Sequence, residues 1–229
     1  SSAASDVYKR QPLRFLLAAR RSELLDLEAL AGTCELVVRI SALVHALQKE
    51  RGYSNLTLCS PPGRLQQALA GLSQDAASVE AQSRPFLDDQ AADPAQGSGR
   101  ARLLNCIAFA LFRLDELPAL RRQVRDRSVP VEDADSRFTQ VIGSLLAVVF
   151  EAADLALDPG VTRILVALLN FMQGKESSGQ ERACGVTGFT AGCFTDTQKA
   201  RMLGLAANQR RSFDTYAPVS YTHLTLPTS

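Results

Sequence analysis

Histidine is almost missing from this chain. Two residues, His45 and His223, stand among 229, too few to suggest a histidine-bound metal centre. The five cysteines, Cys34, Cys59, Cys106, Cys184 and Cys193, are odd in number and scattered. None forms a C-x-x-C pair, so neither a zinc site nor a disulfide framework is indicated, and a reducing cytoplasm is the simplest setting. An excess of one charge is missing too: 25 lysines and arginines face 24 aspartates and glutamates. Near-neutrality supplies no reason to expect nucleic acid or an acidic membrane as a direct partner. The longest apolar region, VIGSLLAVVFEAADLAL at 141–157, carries Glu151 and Asp154 and is too short and too charged to span a bilayer. The first residues lack the basic, apolar and small segments of a signal peptide.

Catalytic punctuation is missing as well. There is no glycine-rich phosphate loop, no nucleophile elbow and no H-E-x-x-H. Runs of alternating strand residues are also absent. What remains is helix, and 229 residues suffice for one sizeable helical core or two small ones. Leu13 to Ala31 is rich in good helix formers. Gly32-Thr33 marks a bend or break, and Cys34 to Arg51 continues to an end at GYSN, with Gly52 suited to the position after the helix. Ser60-Pro61 reads as a cap and first turn of the next helix, over 62–92. DPAQGSG at 93–99 reads as a loop. Arg100 to Arg127 reads as helix divided or kinked at Pro118. Ser128-Val-Pro130 opens a helix to about Leu157. Asp158-Pro159 opens another to about Cys184. GVTGFTAGC then reads as a glycine-rich connection. Thr195 and Gln198 form a capping-box pattern ahead of a helix to about Phe213. The expected class is all-α, an antiparallel helical bundle or bundles.

The two ends differ from everything between them. SSAASDVYKRQ at 1–11 and VSYTHLTLPTS at 219–229 resemble translated adaptor sequence rather than natural protein. They are set aside here, and His223 with them. The natural protein is expected to continue past both ends.

Two arginines stand out. Val37, Ile40, Val44 and Leu47 recur at helical spacing, and Arg51 occupies the next place in that stripe. At 100° per residue Arg51 falls about 20° from Val44, near the middle of the apolar face. Further along, Ile164, Leu165, Leu168, Phe171 and Met172 form an apolar face with Gly179 near its centre and Arg182 about 60° to one side. A glycine there lets a neighbouring helix or a small ligand approach the backbone, and Arg182 beside it is then expected to be partly shielded from water. QKERG at 48–52 and GQERACG at 179–185 also echo each other. A guanidinium facing inward needs an anion. That anion is a carboxylate such as Glu50, Glu176 or Glu181, or else a bound oxyanion that accepts paired N–H donors in one plane. Both readings stand at this point.

The stretches ISALVHALQKERGYSNLTLCS and LLNFMQGKESSGQERACGVTGF resemble the two signature regions of the nitrate- and nitrite-sensing (NIT) domain. LLAARRSE and ALRRQVRDRSV are closest to a cytoplasmic member type that regulates transcription antitermination. The resemblance spans about residues 13–217. It implies a helical sensor over 12–218 that binds nitrate or nitrite between helices through Arg51 and Arg182, with Gly179 beside them. No cofactor is expected; the residues themselves argue against a metal, and the lack of an apparent membrane-spanning helix favours a member without a membrane, with a homodimer left open. The resemblance also implies a further arginine and a small RNA-binding module, ANTAR, which acts on an RNA leader, both beyond the residues of this chain. The same sensor occurs in histidine kinases and chemoreceptors. The alternatives are such a signalling sensor, or a helical interaction domain with structural ion pairs. An enzyme is disfavoured because no nucleophile and base converge. His45 lies off the core face and reads as a surface or boundary residue. Cys184 and Cys193 read as small thiols rather than a redox pair.

Overall fold

The computed structural model describes the backbone of residues 2–91, 98–156 and 158–224, and the side chains of 13–91, 99–156 and 158–217. Most of the loop expected over 93–99, Leu157, the side chain of His223 and those of the two foreign-looking ends lie outside these residues. Among the described residues the chain forms seven helices and no strand. They are α1 (Ser2–Cys59), α2 (Gln66–Asp89), α3 (Ser98–Leu114), α4 (Leu117–Arg125), α5 (Val131–Asp154), α6 (Pro159–Ala191) and α7 (Asp196–Leu224). The second half of α1 packs against α5, α2 and α6; α3 packs on α5; α7 packs chiefly on α6.

The core follows the apolar stripes. Leu36, Ile40, Leu43 and Leu47 of α1 are buried against Phe138, Ile142, Leu145 and Val149 of α5 within one cluster that includes Leu103, Ile107 and Leu114 of α3. Each such side chain contributes about 1.5–3 kcal/mol when fully buried. Several predicted boundaries hold. Pro118 sits in the first turn of α4, after a break that divides it from α3. Asp158 caps α6, accepting from Val161 N at 2.8 Å. Thr195 and Gln198 exchange both capping-box bonds, at 2.9 and 3.1 Å.

Other boundaries differ. α1 does not break at Gly32-Thr33 or end at Gly52; it runs on to Cys59. Ser54, Asn55 and Thr57 are buried there, so the segment is held by its neighbours rather than released as a loop. Ser60-Pro61 does not begin a helix. The second proline disfavours the helical region at Pro61, and α2 begins only at Gln66. α6 does not stop at Cys184. It continues through GVTGFTA to Gly192, whose φ of 72° ends it. Gly188 lies under the ring of Phe194, so it provides close packing rather than a turn. α7 likewise continues past Phe213.

The most membrane-like stretch is also not the one at 141–157. By length and composition, Leu13–Cys59 of α1 is long and apolar enough to cross a bilayer. Its part from Leu36 to Leu47 lines the core, whereas Leu13 to Leu27 leaves seven large apolar side chains exposed.

One arginine accounts for where α1 ends. Arg127 donates to the carbonyls of Thr57, Leu58 and Ser60 at 2.7, 2.9 and 2.8 Å. The Thr57 and Leu58 carbonyls stand in the last turn of α1, where N–H donors from within the helix run out; besides Arg127, Thr57 O accepts from Ser60 N at 3.3 Å. Arg127 itself follows α4 with φ of 53°, in a left-handed turn closed by Ser128 N on Gln123 O and Arg127 N on Val124 O. A left-handed arginine costs about 1–2 kcal/mol, and the three carbonyl bonds offset it. Arg127→Ala should lose the bonds and keep the strain, destabilising the fold by about 2–3 kcal/mol. Arg127→Gly loses the same bonds but removes the strain, so it should cost about 1 kcal/mol less. Urea unfolding of the two variants gives the ranking; equal stabilities would refute the strain argument.

Candidate functional site

The stripe of α1 carries its arginine into the core, as the spacing requires. Arg51 is 1% exposed, and Ile40 and Leu47 on the same face are 0%. A guanidinium so far from water needs acceptors around it, and two other helices supply them. Glu176 of α6 accepts from Arg51 Nη1 and, at 3.2 Å, from Nη2. Thr139 of α5 accepts from Nη1 at 2.9 Å. Asp135 of α5 lies 3.8 Å from Nε. The carboxylates are themselves held. Gln48 and Gln180 each donate to Glu176 at 2.9 Å. Asn55 donates to Asp135 at 2.9 Å, and Arg201 of α7 does so at 3.4 Å.

Glu50, one residue before Arg51, faces a different partner. Arg121 of α4 grips it with two bonds of 2.8 and 2.9 Å and also reaches Glu80 of α2 at 3.4 Å. Of the carboxylates considered for Arg51, Glu176 is therefore its partner and Glu50 is not. Glu181 is half-buried on α6.

Arg51 also faces a cleft of about 400 Å³ between α1 and α6. Gly179 forms part of its wall, and a Cβ there would stand 2.7 Å from Arg51 Nη2. Arg182 lines the same cleft but is exposed, not shielded as its place near the apolar face suggested. Three residues that the sequence reading did not assign to the site join them: His45, Lys49 and Lys175. Lys175 Nζ lies 2.6 Å from His45 Nδ1. His45 is exposed, as expected of a surface residue, yet it sits on the rim of the cleft. No aspartate or glutamate is among the described residues that line it.

Crowding of like charges leaves a signature. Burial, then Lys49 and Arg182, push the Lys175 ammonium below its ordinary range, against an opposing pull from Glu176. Burial, then Lys175 and Lys49, push His45 down as well. A local positive field with few counter-charges is an anion-binding environment. Spacing held a signal for these residues: His45 and Lys49 are one turn apart, and Lys175 and Arg182 two turns apart, so each pair shares a helix face.

Among the described residues no group of histidine, cysteine and carboxylate side chains is arranged to hold a metal ion. Cys184 is a buried free thiol and Cys193 an exposed one.

Residues 42–223 match the family described as nitrate and nitrite sensing. The chain is 41% identical over 198 residues to a nitrate regulatory protein of Klebsiella oxytoca, covering 86% of this chain and 49% of that protein. Among solved structures it is similar to the NasR transcription antiterminator, with a TM-score of 0.79 and 36% identity, over 95% of this chain and 56% of that one. The chain thus spans about half the length of the relatives it matches.

The close approach at Gly179 can be tested by itself. Gly179→Ala places a methyl group against Arg51 and should destabilise the fold by about 1–3 kcal/mol. Gly185→Ala, also on α6, meets nothing within 4 Å and should stabilise it by up to about 1 kcal/mol. Denaturant melts of both variants check the contrast; equal effects would show that Arg51 does not need the space.

Proposed function

The chain belongs to the nitrate- and nitrite-sensing family, and we propose that the cationic cleft between α1 and α6 takes up its anion. The supporting observation is the convergence of Arg51, Lys49, Lys175 and Arg182 with no lining carboxylate among the described residues. A single exposed arginine holds a monovalent anion by about 1 kcal/mol or less. That is far weaker than millimolar binding, so sensing needs several donors around one ligand. Arg51 supplies the buried, fixed end of such a set. Its planar fork suits a planar oxyanion. Gly179 leaves the room that the Arg51 guanidinium itself occupies at the wall of the cleft, and Arg182 closes the solvent side.

A second reading has its own support. Glu176 already neutralises Arg51, as a structural ion pair would. In the receptor reading the anion shares or displaces this carboxylate. Because Glu176 also binds Gln48 of α1 and Gln180 of α6, its displacement would loosen α6 from α1, and that movement is the signal. The output belongs to the longer protein. We assign it to transcription antitermination in the cytoplasm, through an RNA-binding helical module of the ANTAR type beyond these residues. In this reading the domain is a receptor and performs no catalysis.

Arg51→Lys keeps the charge and loses the fork, so nitrate affinity should fall at least tenfold. Arg182→Lys, on the exposed rim, should lower affinity severalfold without altering thermal stability. Calorimetric titration with nitrate at fixed ionic strength, alongside a melting curve of each variant, tests both. Unchanged affinity in Arg51→Lys would return Arg51 to the structural role.

A further inference from the structure

At 2.6 Å, Lys175 Nζ and His45 Nδ1 are within hydrogen-bond distance. An ammonium only donates, and so does a doubly protonated imidazole. With both groups fully charged the contact would set donor against donor. The anion-free pair therefore holds one proton fewer than full charge would give it. The surrounding charges explain why. His45 faces Lys49 on its own helix and Lys175 from α6; Arg182 acts on Lys175 from the same face of α6. Among the described residues Glu176 is the one opposing charge that acts on this pair, through Lys175, and its oxygens are committed to Arg51, Gln48 and Gln180.

We propose that His45 and Lys175 form a proton-linked half of the anion site, in which an oxyanion accepts from Lys175 while His45 takes up a proton from solvent. The anion and the proton enter together, so the net charge of the cleft does not change. His45 is then free to donate rather than accept. This inference rests on the reading of the cleft as the nitrate or nitrite receptor.

The direction of the pH dependence follows. The anion-free cleft holds His45 below its usual range, and a bound anion removes part of the cause. Affinity is greatest at pH values where His45 is charged with and without the anion. It declines as pH rises from the anion-free pKa through the anion-bound one, by up to about tenfold per pH unit between them.

Imidazole nitrogen NMR of the full 229-residue chain tests this, titrating pH in sodium nitrate and in sodium gluconate at equal ionic strength. Loss of one signal in His45→Gln identifies His45. Its midpoint should lie below about 6.5 in gluconate and rise by at least half a pH unit in nitrate. Lys175→Met should raise the gluconate midpoint towards the ordinary value. His45→Gln should bind nitrate severalfold more weakly at pH 5.5 and lose the pH dependence. If nitrate shifts the arginine guanidinium signals but leaves the His45 midpoint unmoved, the proton linkage is wrong and the receptor reading survives. An unmoved midpoint in Lys175→Met also overturns the linkage. Absence of any nitrate-dependent shift overturns both readings.

Discussion

A guanidinium removed from water is the constraint around which this fold is arranged. Moving an isolated charge into a protein interior costs far more than one domain's net stability. Arg51 is nevertheless among the largest fully buried side chains. It is tolerated because α5 and α6 bring Thr139, Asp135 and Glu176 to it. Each of these must be oriented in turn, which draws in Gln48, Asn55, Gln180 and Arg201. One charge on α1 thereby fixes how three other helices approach it. Such networks contribute specificity of arrangement more than raw stability, since a well-packed apolar side chain often does as well energetically.

Glu50 and Arg51 extend the same logic to both sides of α1. Neighbouring residues on a helix point about 100° apart. Glu50 therefore meets Arg121 of α4, while Arg51 meets Glu176 of α6. Adjacent positions of opposite charge lock one helix into two separate interfaces. Between these polar anchors the apolar stripes close over a continuous core.

Overall charge conceals the property that matters for binding. A formal net charge of +1 over 229 residues suggests no preference for anions. The fold concentrates positive groups in one cleft and disperses the negative ones elsewhere, many into ion pairs such as Arg102 with Glu151 and Arg84 with Asp115. Local potential depends on position and dielectric rather than on the sum. The cleft also lies against the buried network through Arg51 itself, so an event on its exposed side reaches Glu176 and α6 without an intervening element.

Much of this was legible in the residues alone. Periodicity of three and four established an all-α chain, placed Arg51 on the buried face, and put Gly179 near the centre of a second face with Arg182 beside it. Those properties depend only on the 3.6-residue turn. Caps at Asp158 and Thr195 were legible because their hydrogen bonds are local. Helix ends at Gly52 and Cys184 were misread, because glycine propensity is a weak local preference that burial by other helices overrides. Arg182 was expected to be partly shielded and stands exposed, because a wheel angle does not tell how far a neighbouring helix extends. The choice of Glu176 rather than Glu50 as the partner of Arg51 required the positions of α4 and α6. So did the gathering of His45, Lys49 and Lys175 around one cleft. These residues lie up to 130 positions apart along the chain, and only tertiary packing decides which distant helix faces meet.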